Sequence, residues 1–296
     1  MTPNEHGTGH KIASLVLKKY CEKLSNLTSG ERLEGPEEAS ILSRVWTFES
    51  YLKPQLDAWI GWLSASREQS NFTYGLTELN EKQLAGLIDV VTNCGISRCQ
   101  EYFEEVKQDK ALRQHLDRRT LESPLRLAAD LGGGFGRRIG WYAFVRITKP
   151  RLVVETGVDK GLGSCVIASA LLRNAAEGFP GKYLGTDINP HAGYLFADPY
   201  AITGKILYGD SIESLSSITE PIDLFINDSD HSESYEASEY QAIHSKLRSG
   251  AIVLGDNAHA TSALFDYSLK TNRRFLFFAE KPKAHFYPGA GIGVSF

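Results

Sequence analysis

Val153-Val154-Glu155-Thr156-Gly157-Val158-Asp159-Lys160-Gly161-Leu162-Gly163-Ser164 is the stretch on which the fold turns. An apolar run ends in an acid, three glycines follow at 157, 161 and 163, and a helical pattern then begins. Glycine at a strand-to-helix turn lets a ligand approach the backbone closely. The helix that follows offers free N–H groups at its start. The spacing is not the dinucleotide pattern GxGxxG. Taken alone, a plain tight turn explains the loop as well as a binding loop does.

The sequence downstream decides between them. Short apolar runs recur at 152–155, 183–187, 206–208, 222–228, 251–256, 275–279 and 292–296. Helical patterns near 162–177, 233–248 and 260–271 separate them. Alternation of strand and helix predicts a parallel sheet covered on both faces. Ligands of such sheets sit beyond the carboxyl ends of the strands. The second run ends at Asp187, a carboxylate able to accept both hydroxyls of a ribose. The third is followed by Gly209-Asp210-Ser211, where a carboxylate suits the amino group of an adenine. Each acid also suits the plainer role of a helix N-cap.

Upstream of Pro150 the chain reads as helical. Apolar spacing predicts helices over 11–27, over 37–65 with a division at Pro54, over 97–118 and over 139–148. Another helix follows Thr77 as N-cap, with Glu78 and Glu81 in its first turn. Trp46, Trp59 and Trp62 are expected in helix packing, and His115 and His244 in solvent. The glycine-rich stretch 130–138 reads as a flexible loop, either a lid or a linker. Its Arg137 and Arg138 are expected to meet a substrate carboxylate or phosphate, or to lie in solvent. The predicted domains are 1–136, a helical N-terminal cap or homodimer interface, and 137–296, the α/β part.

The 296 residues carry 32 basic and 36 acidic side chains. Residues 1–149 have a net charge of +1 and residues 150–296 a net charge of −5. Neither half is a polyanion-binding surface by bulk charge, so nucleic acid is not an expected partner. Cys21, Cys94, Cys99 and Cys165 form no CxxC pair and are read as reduced thiols. The polar first thirty residues and the lack of an apolar run of roughly 18 residues predict a cytoplasmic protein without a membrane span. The Asn26 and Asn71 glycosylation patterns are then chance matches.

Residues 150–296 resemble a class I S-adenosylmethionine-dependent methyltransferase. Glu155-x-Gly157-x-x-x-Gly161 matches that family's first motif, with Asp159 where many members have glycine. Asp187 falls at the ribose-binding acid and Asp210 at the adenine-proximal position. The ending Gly289 to Phe296 resembles the family's terminal antiparallel strand. The resemblance implies a Rossmann-like seven-stranded sheet, mostly parallel with the last strand antiparallel, carrying an N-terminal all-helical domain. It implies S-adenosylmethionine as cofactor, held by Glu155, Gly157, Gly161, Ser164, Asp187, Asp210 and Ser211.

The fourth run leads into Asn227-Asp228-Ser229-Asp230-His231 and the fifth into Gly255-Asp256-Asn257-Ala258-His259. Adjacent strand ends bring Asp228, Asp256 and Asn257 near one another, three oxygen donors for a hard cation such as Mg²⁺. The pairing is similar to the catechol, caffeoyl-CoA and macrocin/mycinamicin types of metal-dependent O-methyltransferase. That similarity makes Asp228, Asp256 and Asn257 metal ligands, and His231, three residues after Asp228, the catalytic base. His259 is the alternative base, and His285 also lies within reach. The expected reaction is O-methylation of a small hydroxylated metabolite. The alternatives are metal-independent N- or C-methylation on the same fold, with Asp228 and His231 as base and orienter, or a non-catalytic cofactor-binding module. Ala197-Asp198-Pro199-Tyr200 resembles an amino-methylating motif but lies between the second and third strands, so it is read as a turn.

Overall fold

The computed structural model describes Lys18, residues 36–69 and residues 73–296. Cys21, Asn26 and Asn71 lie outside the described residues. So does the helix expected over 11–27, apart from Lys18, which is helical. The chain divides into two compact units, Met1–Phe72 with Ala284–Pro288, and Thr73–Lys283 with Gly289–Phe296. The boundary expected at 136/137 falls inside the second unit.

In the first unit, α1 (Pro36–Thr47) and α2 (Lys53–Ala65) are joined by a single π-helical turn, Phe48–Leu52. Pro54 sits in the first turn of α2, where its missing N–H leaves no hydrogen bond unmade. The division expected at Pro54 is therefore found just before it. The tryptophans are not a closed packing core. Trp46 is 62% exposed, and Trp59 and Trp62 set their rings against Phe286 with centroids 6.5 and 4.6 Å away.

The second unit holds a seven-stranded sheet. Its strands are β1 (Leu152–Thr156), β2 (Lys182–Asp187), β3 (Gly204–Tyr208), β4 (Ile222–Asn227), β5 (Leu247–Asp256), β6 (Phe275–Ala279) and β7 (Gly291–Ser295). Their order is β3-β2-β1-β4-β5-β7-β6. The pairs from β3 to β5 are parallel, and β7 runs antiparallel to both β5 and β6. This is the sheet the resemblance implies. Every residue of β1 is buried, as a strand covered on both faces requires.

Side chains alternate between those faces. Leu152 and Val154 join Phe225 and Val253 in a core closed by Leu215 of α8 (Ser211–Ser217), Tyr240 and Ile243 of α9 (Glu233–His244), and Leu264 of α10 (Ala263–Lys270). Glu155 points to the other face and meets Ser164 of α7 (Leu162–Ala176). There α7 packs on α6 (Arg138–Thr148), which in turn packs on α3 (Glu78–Thr92) and α4 (Ile96–Lys107). Among the described residues, no helix is long and apolar enough to cross a membrane.

Two expectations change, one for a helix and one for a loop. The helix expected over 97–118 is two helices, α4 and α5 (Lys110–Glu122). Asp109 separates them, accepting the Leu112 N–H at 2.9 Å; a short acidic side chain that bonds the backbone starts a helix better than it continues one. The stretch 130–138 is also packed rather than open. A Cβ on Gly134 would stand 2.3 Å from the Tyr74 carbonyl, and the Gly136 N–H donates to that carbonyl at 2.8 Å.

Candidate active site

β1 ends at Thr156, and the chain turns at Gly157 with φ +78°. A Cβ there would lie 1.8 Å from the Asp228 carbonyl oxygen. The turn after β1 and the loop after β4 therefore meet backbone to backbone, and only glycine fits. Gly161 precedes α7 and gives its first N–H groups no side-chain cap. Beneath the turn, Glu155 accepts Ser164 Oγ at 2.9 Å and the Tyr183 hydroxyl. Burial pushes the Glu155 carboxyl up to about 7, against the opposing pull of those two donors.

Asp187 stands half-buried at the end of β2. Its Oδ2 accepts the Asp159 N–H at 2.9 Å and its Oδ1 the Asn189 N–H at 2.8 Å. Each oxygen keeps a further lone pair for a ribose hydroxyl. Asp210 does cap a helix: Oδ1 takes the Glu213 N–H at 3.0 Å, while Oδ2 takes the Tyr235 hydroxyl at 3.0 Å. Ser211 is turned inward and donates to Glu239. Glu239 is fully buried and also gathers Thr156 Oγ1 at 3.3 Å, Ser229 Oγ at 2.8 Å and Asn227 Nδ2. One carboxyl thus ties together the ends of β1 and β4 and the start of α8.

Asp228, His231 and Asp256 converge after β4 and β5, each offering an atom within 4.8 Å of the other two. His231 Nδ1 lies 3.2 Å from Glu236 Oε1, and its Nε2 accepts Asn257 Nδ2 at 2.8 Å. Asp228 Oδ1 is 3.8 Å from the same Nε2. Glu236 is buried on α9, and its Oε2 accepts Thr261 Oγ1 at 2.5 Å. A carboxylate on Nδ1 fixes the proton there and leaves Nε2 as the accepting atom.

Asp256 ends β5 fully buried, and both its oxygens accept from Arg137, one from Nε and one from Nη2. Burial alone would raise the Asp256 carboxyl; the guanidinium overrides this and holds it below its ordinary value. Burial, then the Asp256 charge, push Asp228 well above the usual carboxylate range. Burial and the neighbouring charge thus favour the protonated form of Asp228, and the guanidinium favours the ionised form of Asp256. Arg137 is also held from behind. Its Nη1 is 3.5 Å from Glu280 Oε2 and 3.4 Å from the Tyr74 hydroxyl, and its backbone N–H donates to Glu280 Oε1 at 2.9 Å. Arg138 lies buried over the Trp141 ring, 5.5 Å from its centroid. Neither arginine lies in solvent, because the loop that carries them is packed.

S-adenosylmethionine fits what is present. α7 starts uncapped, and Asp187 offers acceptors. Thr186 Oγ1 and Asn227 Oδ1, buried at the ends of β2 and β4, have no partner. Mg²⁺ does not fit the donor set as it is arranged. Asp256 is gripped at both oxygens by a guanidinium. A divalent ion that needs oxygens at about 2.0–2.1 Å meets a permanent positive charge at its strongest ligand.

Glu236, Glu239 and Glu280 are the residues that sequence reasoning misses, and Arg137, expected to meet a substrate anion or solvent, meets Asp256 and Glu280 instead. A signal exists for two of them: Glu236, Glu239, Tyr240 and Ile243 fall at i, i+3, i+4 and i+7 on the buried stripe of α9. Acids on such a stripe are buried with partners or not at all. His259 is exposed beside Phe277, outside the cluster, and His285 belongs to the first unit. His244 is exposed. His115, expected in solvent, is buried, with Nε2 2.8 Å from the Leu195 carbonyl and its ring 4.8 Å from that of Tyr200. Cys94 and Cys99 are free thiols with Sγ atoms 3.0 Å apart.

Comparison with known proteins bears on the same region. Residues 154–258 match the family described as a methyltransferase domain. Solved structures similar to the chain include a SAH-bound methyltransferase from Podospora anserina, at 16% identity over 67% of this chain and 93% of that one, TM-score 0.46. Another is the O-methyltransferase TomG from Streptomyces achromogenes in complex with SAM, at 14% identity over 64% and 90%, TM-score 0.46. A third is an O-methyltransferase from Bacillus cereus in complex with SAH, at 14% identity over 73% and 98%, TM-score 0.41. No curated protein matches the chain.

Proposed function

We propose that this chain, whose residues 154–258 match a methyltransferase-domain family, is a class I S-adenosylmethionine-dependent methyltransferase that methylates a hydroxyl oxygen of a small molecule with His231 as the base. The observation that carries the reading is the polarity of His231. Its Nδ1 is anchored on buried Glu236, while its Nε2 faces Asp228 and Asn257 at the ends of β4 and β5. The bound cofactor supplies an electrophilic methyl group on a sulfonium.

The chain's own residues do the rest. Asp187 and the uncapped start of α7 hold the cofactor. An acceptor hydroxyl that displaces Asn257 from Nε2 hands its proton to that nitrogen, and Glu236 stabilises the imidazolium that forms. Thr261 fixes Glu236 in turn. The reaction is otherwise alignment of oxygen and methyl carbon. A second reading has Mg²⁺ held by Asp228, Asp256 and Asn257. The approach of Asp228, His231 and Asp256 to within 4.8 Å favours it, and it requires Arg137 to leave Asp256.

A S-adenosylhomocysteine-release assay over a panel of phenols, sugars and amines tests the proposal. Hydroxylated acceptors should turn over. His231→Ala should lose roughly 10²- to 10⁴-fold in kcat with S-adenosylhomocysteine affinity unchanged. Glu236→Gln should lose about 10- to 100-fold, a smaller loss than that of His231→Ala. Turnover of amines alone, or full activity in His231→Ala, defeats the assignment.

A further inference from the structure

We propose that the Arg137 guanidinium is the resident cation of the acid cluster, so that Arg137 and a divalent metal ion are mutually exclusive on Asp256 and the protein works without a metal. The inference rests on catalysis at this cluster for its consequence. The occupancy itself is read independently.

Arg137 meets Asp256 as a fork. Nε and Nη2 donate to the two carboxylate oxygens, the arrangement in which arginine recognises a carboxylate most specifically. The pair is buried, with the arginine side chain 9% exposed and the aspartate 0%. A metal ion at this carboxylate would sit against a guanidinium that cannot lose its proton, in a site with little water to screen the repulsion.

The fork is also built in. Glu280 accepts the Arg137 backbone N–H at 2.9 Å and faces Nη1 at 3.5 Å. Glu280 is itself fixed by the Tyr74 hydroxyl at 2.9 Å and the Ala290 N–H at 3.1 Å. Just before Arg137, Gly136 has φ +51°, and a Cβ there would crowd Glu280 Oε1 and the Tyr74 ring at 3.0 Å. A loop strand, a turn and a strand end from distant parts of the chain converge to hold one guanidinium against Asp256. An arginine that merely filled a vacancy would not need such backing. The cation role expected of a metal at the ends of β4 and β5 is therefore supplied by the chain.

The chelator-stripped full chain is titrated with Mn²⁺, and free ion is followed by electron paramagnetic resonance. The wild type should bind none up to millimolar Mn²⁺. Arg137→Met keeps the aliphatic stem and removes the charge. It should bind one Mn²⁺ with a Kd at least about tenfold below the millimolar range in which the wild type binds none, and Asp256→Asn added to it should abolish that binding. Arg137→Lys should behave as the wild type. One micromolar Mn²⁺ site on the wild type overturns the proposal whether or not the variants fold, as does Arg137→Met binding no better than the wild type. Methyl transfer by the wild type should also survive excess EDTA. Loss of turnover in EDTA together with a wild-type Mn²⁺ site counts against Arg137. Absence of turnover under every condition, with no Mn²⁺ bound, counts instead against the methyl-transfer reading and leaves the exclusion of metal supported.

Discussion

Glu155 shows what a single residue costs when it is buried for a site. Ser164 and Tyr183 donate to it, yet loss of water still pushes the carboxyl up to about 7 from an ordinary 4.5. Between those two pH values the folded state holds a proton that the unfolded chain releases. Stability therefore falls as pH rises through this window, by about 3 kcal/mol for this group. Its contribution is fully present below 4.5 and lost above 7. Glu155→Gln keeps an acceptor for both donors and removes the ionisation. Urea unfolding of both proteins at pH 5 and pH 8 should show the variant gaining on the wild type by up to about 3 kcal/mol at the higher pH. Parallel stabilities at the two pH values would show that the carboxyl is not perturbed. Glu155 is legible in the sequence as the acid of a glycine-rich turn. Its partner Tyr183 is not, because the two meet only when β1 and β2 lie side by side.

At the scale of elements, what can be read from the sequence is what local rules control. Thr77 is legible as a helix start, and its Oγ1 accepts the Asn80 N–H at 3.3 Å. Asp109 is not, because an acid inside a charged amphipathic pattern looks like a solvated face. Its second oxygen takes Ser169 Oγ and Arg173 Nη2, both at 3.1 Å, tying α5 to α7. The two caps should therefore differ on mutation. Thr77→Ala should cost about 1 kcal/mol, an ordinary cap. Asp109→Ala should cost more, about 2–3 kcal/mol, because it also leaves a half-exposed arginine and a buried hydroxyl without their partner. Denaturant midpoints of the two variants check this, and equal losses would reduce Asp109 to a cap. The same division explains the site. The strand-end acids Asp187, Asp228 and Asp256 follow from pattern and order. Arg137, Glu236 and Glu280 reach the cluster through tertiary packing of segments far apart in sequence, and of the three only Glu236 has a local signal, its place on the buried stripe of α9.

At the scale of the molecule, the question is which part of the chain the site needs. All seven strands, helices α3 to α10 and every residue of the Asp228–His231–Asp256 cluster belong to the unit Thr73–Lys283 with Gly289–Phe296. Among the described residues, every buried hydrophobic side chain lies at or after Tyr74. Burial of apolar surface is the main favourable contribution to folding. A chain starting at Thr73 should therefore keep nearly all of the stability, melt in one cooperative transition, and bind S-adenosylhomocysteine within about threefold of the full chain, a difference under roughly 1 kcal/mol. Circular dichroism melting and calorimetric titration of the two proteins measure both quantities. A cooperative melt with lost affinity would assign part of the cofactor site to the residues before Thr73. Loss of the melt itself would mean that those residues bury surface on which the sheet depends. If both are retained, the earlier residues are free of the chemistry, and choice of acceptor or self-association becomes the property to assay in them.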